Sequence, residues 1–193
     1  GFVPALAKVF TRREGLVSVM MNSAGCGEIP GVRVLRDNDS WNQETVRLFG
    51  DLVYRHNNAK ELLEKGEPAP VYPPLVCILN GVKGVFDGLT EDGKDKLYVM
   101  MEKSEVPLNV YFVVISAVSE VSSFSFRPWF KKQPVFQNAV WLGNGISDQF
   151  QLKVRSSGKL YESIGEEFGY LVEDGNAVLM KLLTTGEGAE RNG

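Results

Sequence analysis

The chain has 193 residues, of which 44% are hydrophobic and 23% charged, and its net charge is −3. This length suits one well-buried domain, and the acidic balance argues against a nucleic-acid surface, which needs clustered Lys and Arg. Two cysteines make no disulfide framework, so we expect a reducing compartment.

The first part of the chain alternates short apolar runs with amphipathic segments, a pattern typical of α/β folds. A short helix is predicted over 5–13, a strand over 16–21 and a second strand over 32–35, with a glycine-rich loop at 25–27 between the strands. Because Pro30 stands where a dinucleotide fingerprint needs its third glycine, and no Lys-Ser/Thr pair follows, we interpret this segment as an ordinary loop.

The clearest helix signal begins at Ser40. Ser40 and Gln43 match a capping box, in which side chains satisfy the free amides of the first turn, and apolar residues then recur at three- and four-residue steps as far as Leu63. A glycine and two prolines between 66 and 70 end this helix. A further helix is predicted from Thr90 to just before Pro107.

Three apolar runs predict the remaining strands. The run 75–79 reads as a buried strand that delivers Asn80, and the run 110–115 is apolar throughout, as a central parallel strand covered on both faces would be. A strand is also predicted over 139–142. The chain closes with a predicted hairpin over 168–183, whose turn carries Asp174-Gly175, a strong hairpin signal.

These segments resemble the FtsK/SpoIIIE group of RecA-like ATPases, and most closely the last ATPase domain of the EssC-type coupling proteins of type VII secretion. The resemblance rests on a Ser-capped helix carrying Arg55, followed by Pro-Pro and a strand ending in Asn80-Gly81, and on a strand ending in Ser116 at the sensor position. It also rests on the segments 138–149 and 164–170, which look like the C-terminal signature of the secretion proteins. It covers about residues 16–183.

The resemblance implies a three-layer α/β RecA-like P-loop NTPase fold, with a mostly parallel central sheet and a C-terminal β-hairpin. It implies a single degenerate ATPase-like domain over 1–183, and the small, polar residues 184–193 predict a flexible tail. It further implies a cytoplasmic domain of a bacterial membrane protein. The implied partners are other ATPase domains of the same protein, a second copy of the chain and secreted protein substrates. The acidic charge balance argues against a nucleic-acid partner.

Two departures from the family pattern bear on activity. No G-x-x-x-x-G-K-S/T loop occurs, although such a loop would have to precede residue 16. Asn80, followed by Gly81, stands where these ATPases carry the acid that organises magnesium. We therefore expect no efficient ATPase activity, no metal ligands and no cofactor in this chain, with ATP and magnesium, if any, held by the intact parent protein. The expected role is substrate engagement, assembly or regulation.

Other interpretations remain open at this point. Asn80-Gly81 could simply form a turn at a strand end, since Asn and Gly tolerate left-handed geometry. The chain could be an active motor ATPase whose phosphate loop lies outside it and whose acid comes from elsewhere, or a standalone interaction module. The single histidine, His56, and the scattered acids form no cluster with metal-ligand spacing.

An aromatic stretch over 121–130 supplies the candidates for partner binding, because exposed aromatics accompanied by Arg are typical interface anchors. The alternative is a loop that folds back onto the core, since most large aromatics are buried. The candidates are Phe124, Phe126, Arg127, Trp129 and Phe130.

Overall fold

A computed structural model describes residues 2–11, 17–103, 108–124, 126 and 139–182. The region predicted to be a flexible tail, 184–193, lies outside these residues. The helices are α1 (Phe2–Phe10), α2 (Asn38–Glu64), α3 (Val82–Gly88), α4 (Glu91–Lys103) and α5 (Val118–Val121). The strands are β1 (Val17–Asn22), β2 (Arg33–Leu35), β3 (Leu75–Asn80), β4 (Val110–Ile115), β5 (Ala139–Leu142), β6 (Phe168–Glu173) and β7 (Asn176–Lys181).

The predicted parallel sheet is confirmed, with the strand order β2-β1-β3-β4 and every neighbouring pair parallel. All six residues of β3 are buried. Because successive side chains of a strand point to opposite faces, Cys77 and Leu79 pack with α2, α3 and α4, whereas Val76 and Ile78 pack with Ala7 of α1. The sheet is therefore the middle layer of three.

The helix boundaries differ from the prediction at two N-termini. Asp37, not Ser40, caps α2: its carboxylate accepts hydrogen bonds from Ser40 Oγ at 2.6 Å and from Ser40 N at 2.8 Å. The Ser40 side chain, followed by its backbone amide, thereby lowers the pKa of Asp37. Helix α1 starts before residue 5, with Pro4 in its first turn, where a missing N–H removes no helical hydrogen bond.

The prediction that the run 110–115 is a central strand covered on both faces was wrong for the part of the chain that the structure describes. Strand β4 lies at the end of the described parallel sheet, and Tyr111 and Val114 are each 40% exposed. An apolar run predicts a strand, but it shows neither how many neighbours the strand has nor how deeply it is buried, since Val110 is the one buried residue of β4.

The C-terminal hairpin is confirmed and belongs to a separate antiparallel sheet with the order β5-β6-β7. Its turn holds Asp174 and Gly175 at φ of 48° and 78°, as a two-residue hairpin loop with left-handed residues requires. Tyr170 and Val172 of this sheet form a third core with Ile146 and Leu160.

In the described part of the chain, no helix combines the length and the apolar character needed to cross a membrane. The longest one, α2, has 27 residues, and charged side chains occur along its whole length.

Candidate functional site

An open cleft of about 450 Å³ lies where β3 and β4 end, beside the loop that follows β1. In parallel α/β sheets this carboxyl edge is the usual place for ligand sites, and the volume lies within the range of small-molecule pockets. Asn80, Gly81 and Ser116, which the sequence singled out, all line the cleft together with Ser23 and Glu120. A smaller cavity of about 100 Å³, beside Ile146 and Gln149, holds none of the predicted site residues.

Asn80 is only 5% exposed, and its side-chain amide forms a pair with that of Asn22, which is 4% exposed. Asn80 Nδ2 donates a hydrogen bond to Asn22 Oδ1 at 2.8 Å. Asn22 in turn donates from Nδ2 to the carbonyl oxygen of Cys26 at 2.9 Å and accepts from the Cys26 backbone amide at 3.4 Å. The amide of Asn80 is thus one end of a buried hydrogen-bonded chain that reaches into the loop after β1.

Ser23 fastens the same loop to the turn after β3. Its backbone amide donates to the carbonyl oxygen of Asn80 at 3.0 Å, and its hydroxyl donates to the carbonyl oxygen of Gly81 at 2.6 Å. Gly81 has a φ of 73°, and a Cβ atom at Gly81 or Gly84 would collide with Ser23 Oγ. The close approach of the two segments therefore requires glycine at both positions.

Ser116 follows β4, and its hydroxyl donates to Glu120 Oε2 at 2.6 Å. Among the described residues that line the cleft, Glu120 supplies the one carboxylate, and none is Lys or Arg. The predicted sensor position is therefore engaged with a neighbouring acid, four residues further along the chain.

The described lining residues do not fit a magnesium–nucleotide complex. Magnesium in nucleotide sites is held by carboxylates and phosphates, whereas the Asn80 side chain at the end of β3 is an uncharged amide that donates to Asn22. Phosphate groups need cations or a cradle of backbone amides, and the sequence contains no phosphate-binding loop. Among the described residues, no group of three or more His, Cys, Asp or Glu side chains is placed to hold a metal ion.

The aromatic candidates separate into three cases. Phe124 is 6% exposed and packs on Phe86 with ring centroids 5.2 Å apart, so it belongs to the core, as the alternative interpretation held. Phe126 is 61% exposed. Arg127, Trp129 and Phe130 lie outside the described residues.

Sequence reasoning missed Asn22, Ser23 and Glu120. A signal for the first two was present, because they follow the strand that pairs with β3, and parallel strands bring their carboxyl ends to one edge. Glu120 had no comparable signal, because its place in the cleft depends on how the chain turns after β4.

No protein-family model matches the sequence, and no curated protein matches it either. Solved structures do match. The cytoplasmic domain of EssC aligns with 88% of this chain at a TM-score of 0.64 and 16% identity, over 33% of its own length. EssC ATPases 2 and 3 from Geobacillus thermodenitrificans align with 86% of this chain at a TM-score of 0.60 and 15% identity, over 30% of their length.

EccC ATPases 2 and 3 from Thermomonospora curvata, solved in complex with a signal sequence peptide, align with 95% of this chain. The TM-score is 0.61, the identity is 9%, and the match covers 34% of that protein. The chain thus spans about a third of the length of each of these three proteins. The chain has the fold of the EssC and EccC ATPase domains.

Proposed function

We propose that this chain is an FtsK/SpoIIIE-like module of a type VII secretion coupling protein, and that it does not hydrolyse ATP efficiently. Its role is to engage secretion substrates, to assemble with other ATPase domains or copies of itself, or to regulate them. By this proposal it works in the cytoplasm as part of a membrane protein. The fold shared with EssC and EccC ATPase domains supports this assignment.

The proposal that this chain does not hydrolyse ATP efficiently rests on the neutral amide pair at the end of β3. Phosphoryl transfer is accelerated almost entirely by positioning and by charges placed around the phosphates. At the end of β3, Asn80 is uncharged and donates its amide hydrogen to Asn22 over 2.8 Å. Neither side chain contributes the negative charge that would organise a divalent ion.

The substrate-engaging half of the proposal is supported by the EccC structure that contains a signal sequence peptide. Phe126, one of the aromatic candidates, is 61% exposed, and exposed aromatic side chains are typical interface anchors. The test is fluorescence anisotropy with a labelled secretion-signal peptide and a scrambled peptide as control. We expect saturable binding of the signal peptide alone, and equal binding of both peptides would contradict this role.

Steady-state ATP hydrolysis tests the catalytic half. Active enzymes commonly turn over about 10 times per second, and we expect this chain to show no such turnover. In any longer protein that contains this module, Asn80→Ala should leave the rate of ATP hydrolysis unchanged. A rate that this chain sustains and that Asn80→Ala abolishes would contradict the proposal.

One observation favours a second candidate, an active motor domain. Glu120 brings a carboxylate into the cleft beside Ser116, and such a group could orient an attacking water. Glu120→Gln separates the two candidates: it should leave any ATP hydrolysis unchanged if the module is inactive, and should lower it at least 100-fold if Glu120 is a general base.

A further inference from the structure

We propose that Asn22 and Asn80 form an amide lock, a hydrogen-bonded pair that holds the loop 23–31 to the end of β3. The same pair makes a carboxylate at position 80 unfavourable, and therefore disfavours a magnesium ion there. The proposal concerns the same cleft as the proposed function but does not depend on secretion. An active ATPase would overturn the proposed function, whereas the lock depends on the energetic coupling of two amides.

The lock is a continuous chain of hydrogen bonds through two side chains that are each at least 95% buried. It starts at Asn80 Nδ2, passes through Asn22 and ends at the backbone of Cys26. A buried polar group without a partner costs about 1–3 kcal/mol, so the Asn80 amide needs Asn22, whereas Asn22 also bonds to the backbone of Cys26. The exposed hydroxyl of Ser23, bonded to Gly81, adds a second attachment outside the lock.

The orientation of Asn22 determines what position 80 accepts. Asn22 Nδ2 faces the Cys26 carbonyl oxygen, so Asn22 Oδ1 is the atom that faces Asn80. A carboxylate at position 80 would therefore meet an oxygen at hydrogen-bond distance. Turning the Asn22 amide over would present a donor to that carboxylate, but it would set Oδ1 against the Cys26 carbonyl and Nδ2 against the Cys26 amide.

Asn80 therefore does more than leave position 80 without a carboxylate. The side chain donates a hydrogen bond that a carboxylate cannot donate, so the position is specific for an amide. Replacing Asn80 by Asp alone should not create a metal site, because the new carboxylate loses the hydrogen bond to Asn22 Oδ1 and faces that oxygen instead.

A double-mutant cycle on the thermal unfolding temperature tests the coupling. The variants are Asn22→Ala, Asn80→Ala and the double variant. For a chain of this size we expect each single substitution to lower Tm by about 2–10 °C. We expect the double variant to melt at nearly the same temperature as Asn22→Ala, because Asn22→Ala already removes the hydrogen bond that Asn80 makes to Asn22. A double variant whose loss equals the sum of the two single losses would overturn the lock.

Asn80→Asp tests the exclusion of the carboxylate, with Asn57→Asp, an exposed amide on α2, as the matched control. We expect Asn80→Asp to lower Tm by about 2–10 °C and Asn57→Asp to leave it within about 2 °C. Adding magnesium chloride should not raise the Tm of Asn80→Asp. A Tm for Asn80→Asp that matches the unmodified chain, or that rises with magnesium, would overturn the proposal.

Hydrogen exchange measured by mass spectrometry reports the loop directly and needs only Asn80→Ala. Exchange should speed up in peptides covering 23–31 and stay unchanged in the hairpin 168–181, which does not take part in the lock. Unchanged exchange in 23–31 would overturn the proposed attachment of the loop.

Discussion

Five polar or charged side chains are buried among the described residues, and each makes at least one hydrogen bond. They are Asn22, Glu44, Thr45, Arg55 and Asn80. Asn80 lines the cleft and bonds to Asn22, whereas Thr45 bonds back to its own helix through the carbonyl oxygen of Trp41 at 2.8 Å. Buried polar groups are costly unless they are paired, so these five positions are where single substitutions should have the clearest effects.

Glu44 is 3% exposed and lies between two arginines that are about half exposed. Burial alone would raise its pKa, but hydrogen bonds and charges from Arg47 and Arg33 outweigh that effect, and the pKa lies below its ordinary value of 4.5. Arg47 holds the carboxylate through Nη2 at 2.6 Å and through Nε at 3.0 Å.

Glu44→Gln should lower the free energy of unfolding by about 1–3 kcal/mol, less than for a fully buried pair because both arginines reach water. A lowered pKa stabilises the fold above the ordinary carboxyl value, and this stabilisation is lost as the pH falls through the folded-state pKa. The difference between the two proteins in urea unfolding should therefore shrink below about pH 4.5.

The control for that measurement is Glu61→Gln, which breaks an exposed pair with Lys65 and should cost less than about 0.5 kcal/mol. A Glu44→Gln difference that stays constant from pH 7 to pH 3 would show that the charge of Glu44 contributes nothing.

Cys77 should be chemically inert in the folded protein. Burial, followed by the charge of Glu44, raises the pKa of its thiol to about 12, so almost no reactive thiolate forms at pH 8. A thiol reagent should label one cysteine in the native chain, the partly exposed Cys26, and both after denaturation. Cys26→Ser should leave the native chain unlabelled, and labelling of that variant would contradict the buried position of Cys77.

At the scale of elements, helix α2 is held to the sheet by Arg55, which sits at the end opposite to the cleft. Arg55 Nη1 donates to the carbonyl oxygens of Leu108 at 2.8 Å and Pro73 at 3.0 Å, in the segments that lead into β4 and β3. Its guanidinium stacks over Tyr72, whose hydroxyl donates back to the Arg55 carbonyl oxygen at 2.9 Å. Arg55 Nε also lies 3.1 Å from Asp51 Oδ2, without the alignment of a hydrogen bond.

Arg55→Ala should destabilise the fold by about 2–4 kcal/mol, because it leaves buried carbonyl groups without donors. Arg55→Lys should cost less but still be measurable, since an ammonium group cannot reproduce the planar fork. The exposed Arg155→Ala provides the control and should stay within about 0.5 kcal/mol. Equal losses for Arg55→Ala and Arg155→Ala in urea unfolding would refute this role.

At the scale of the whole molecule, the position of β3 places Asn80 in the middle of the cleft. Its neighbours β1 and β4 end at Asn22 and Ile115, which pair in register with Asn80. The ends of β1, β3 and β4 therefore lie together at one edge of the sheet. A substitution at Asn80 should change the structure on both sides of the cleft.

The overall charge makes a further prediction. With a net charge of −3, the chain should bind a 20-base-pair DNA duplex no more tightly than about 100 µM at 150 mM salt, the weak end of non-specific binding. Fluorescence anisotropy measures this affinity. Micromolar binding that weakens steeply with salt would point to a DNA translocase instead.

The sequence by itself determined the seven described strands, the helices α1, α2 and α4, the parallel sheet, the closing hairpin and the three positions Asn80, Gly81 and Ser116 that line the cleft, but not the short helices α3 and α5. These features follow from local chemistry: apolar periodicity, the turn preferences of Gly, Pro and Asp-Gly, and the rule that parallel strands end at one edge. The resemblance to EssC-type ATPases also came from contiguous segments of sequence.

The tertiary structure alone decided which atoms meet. It assigned β4 to the end of the described parallel sheet, moved Phe124 into the core and brought Glu120 to Ser116. It also joined Asn80 to Asn22, 58 residues earlier in the chain, through a buried hydrogen bond. The physical reason is that a side-chain hydrogen bond depends on distance and direction to within a fraction of an ångström. Residue order does not specify such geometry until the strands have paired.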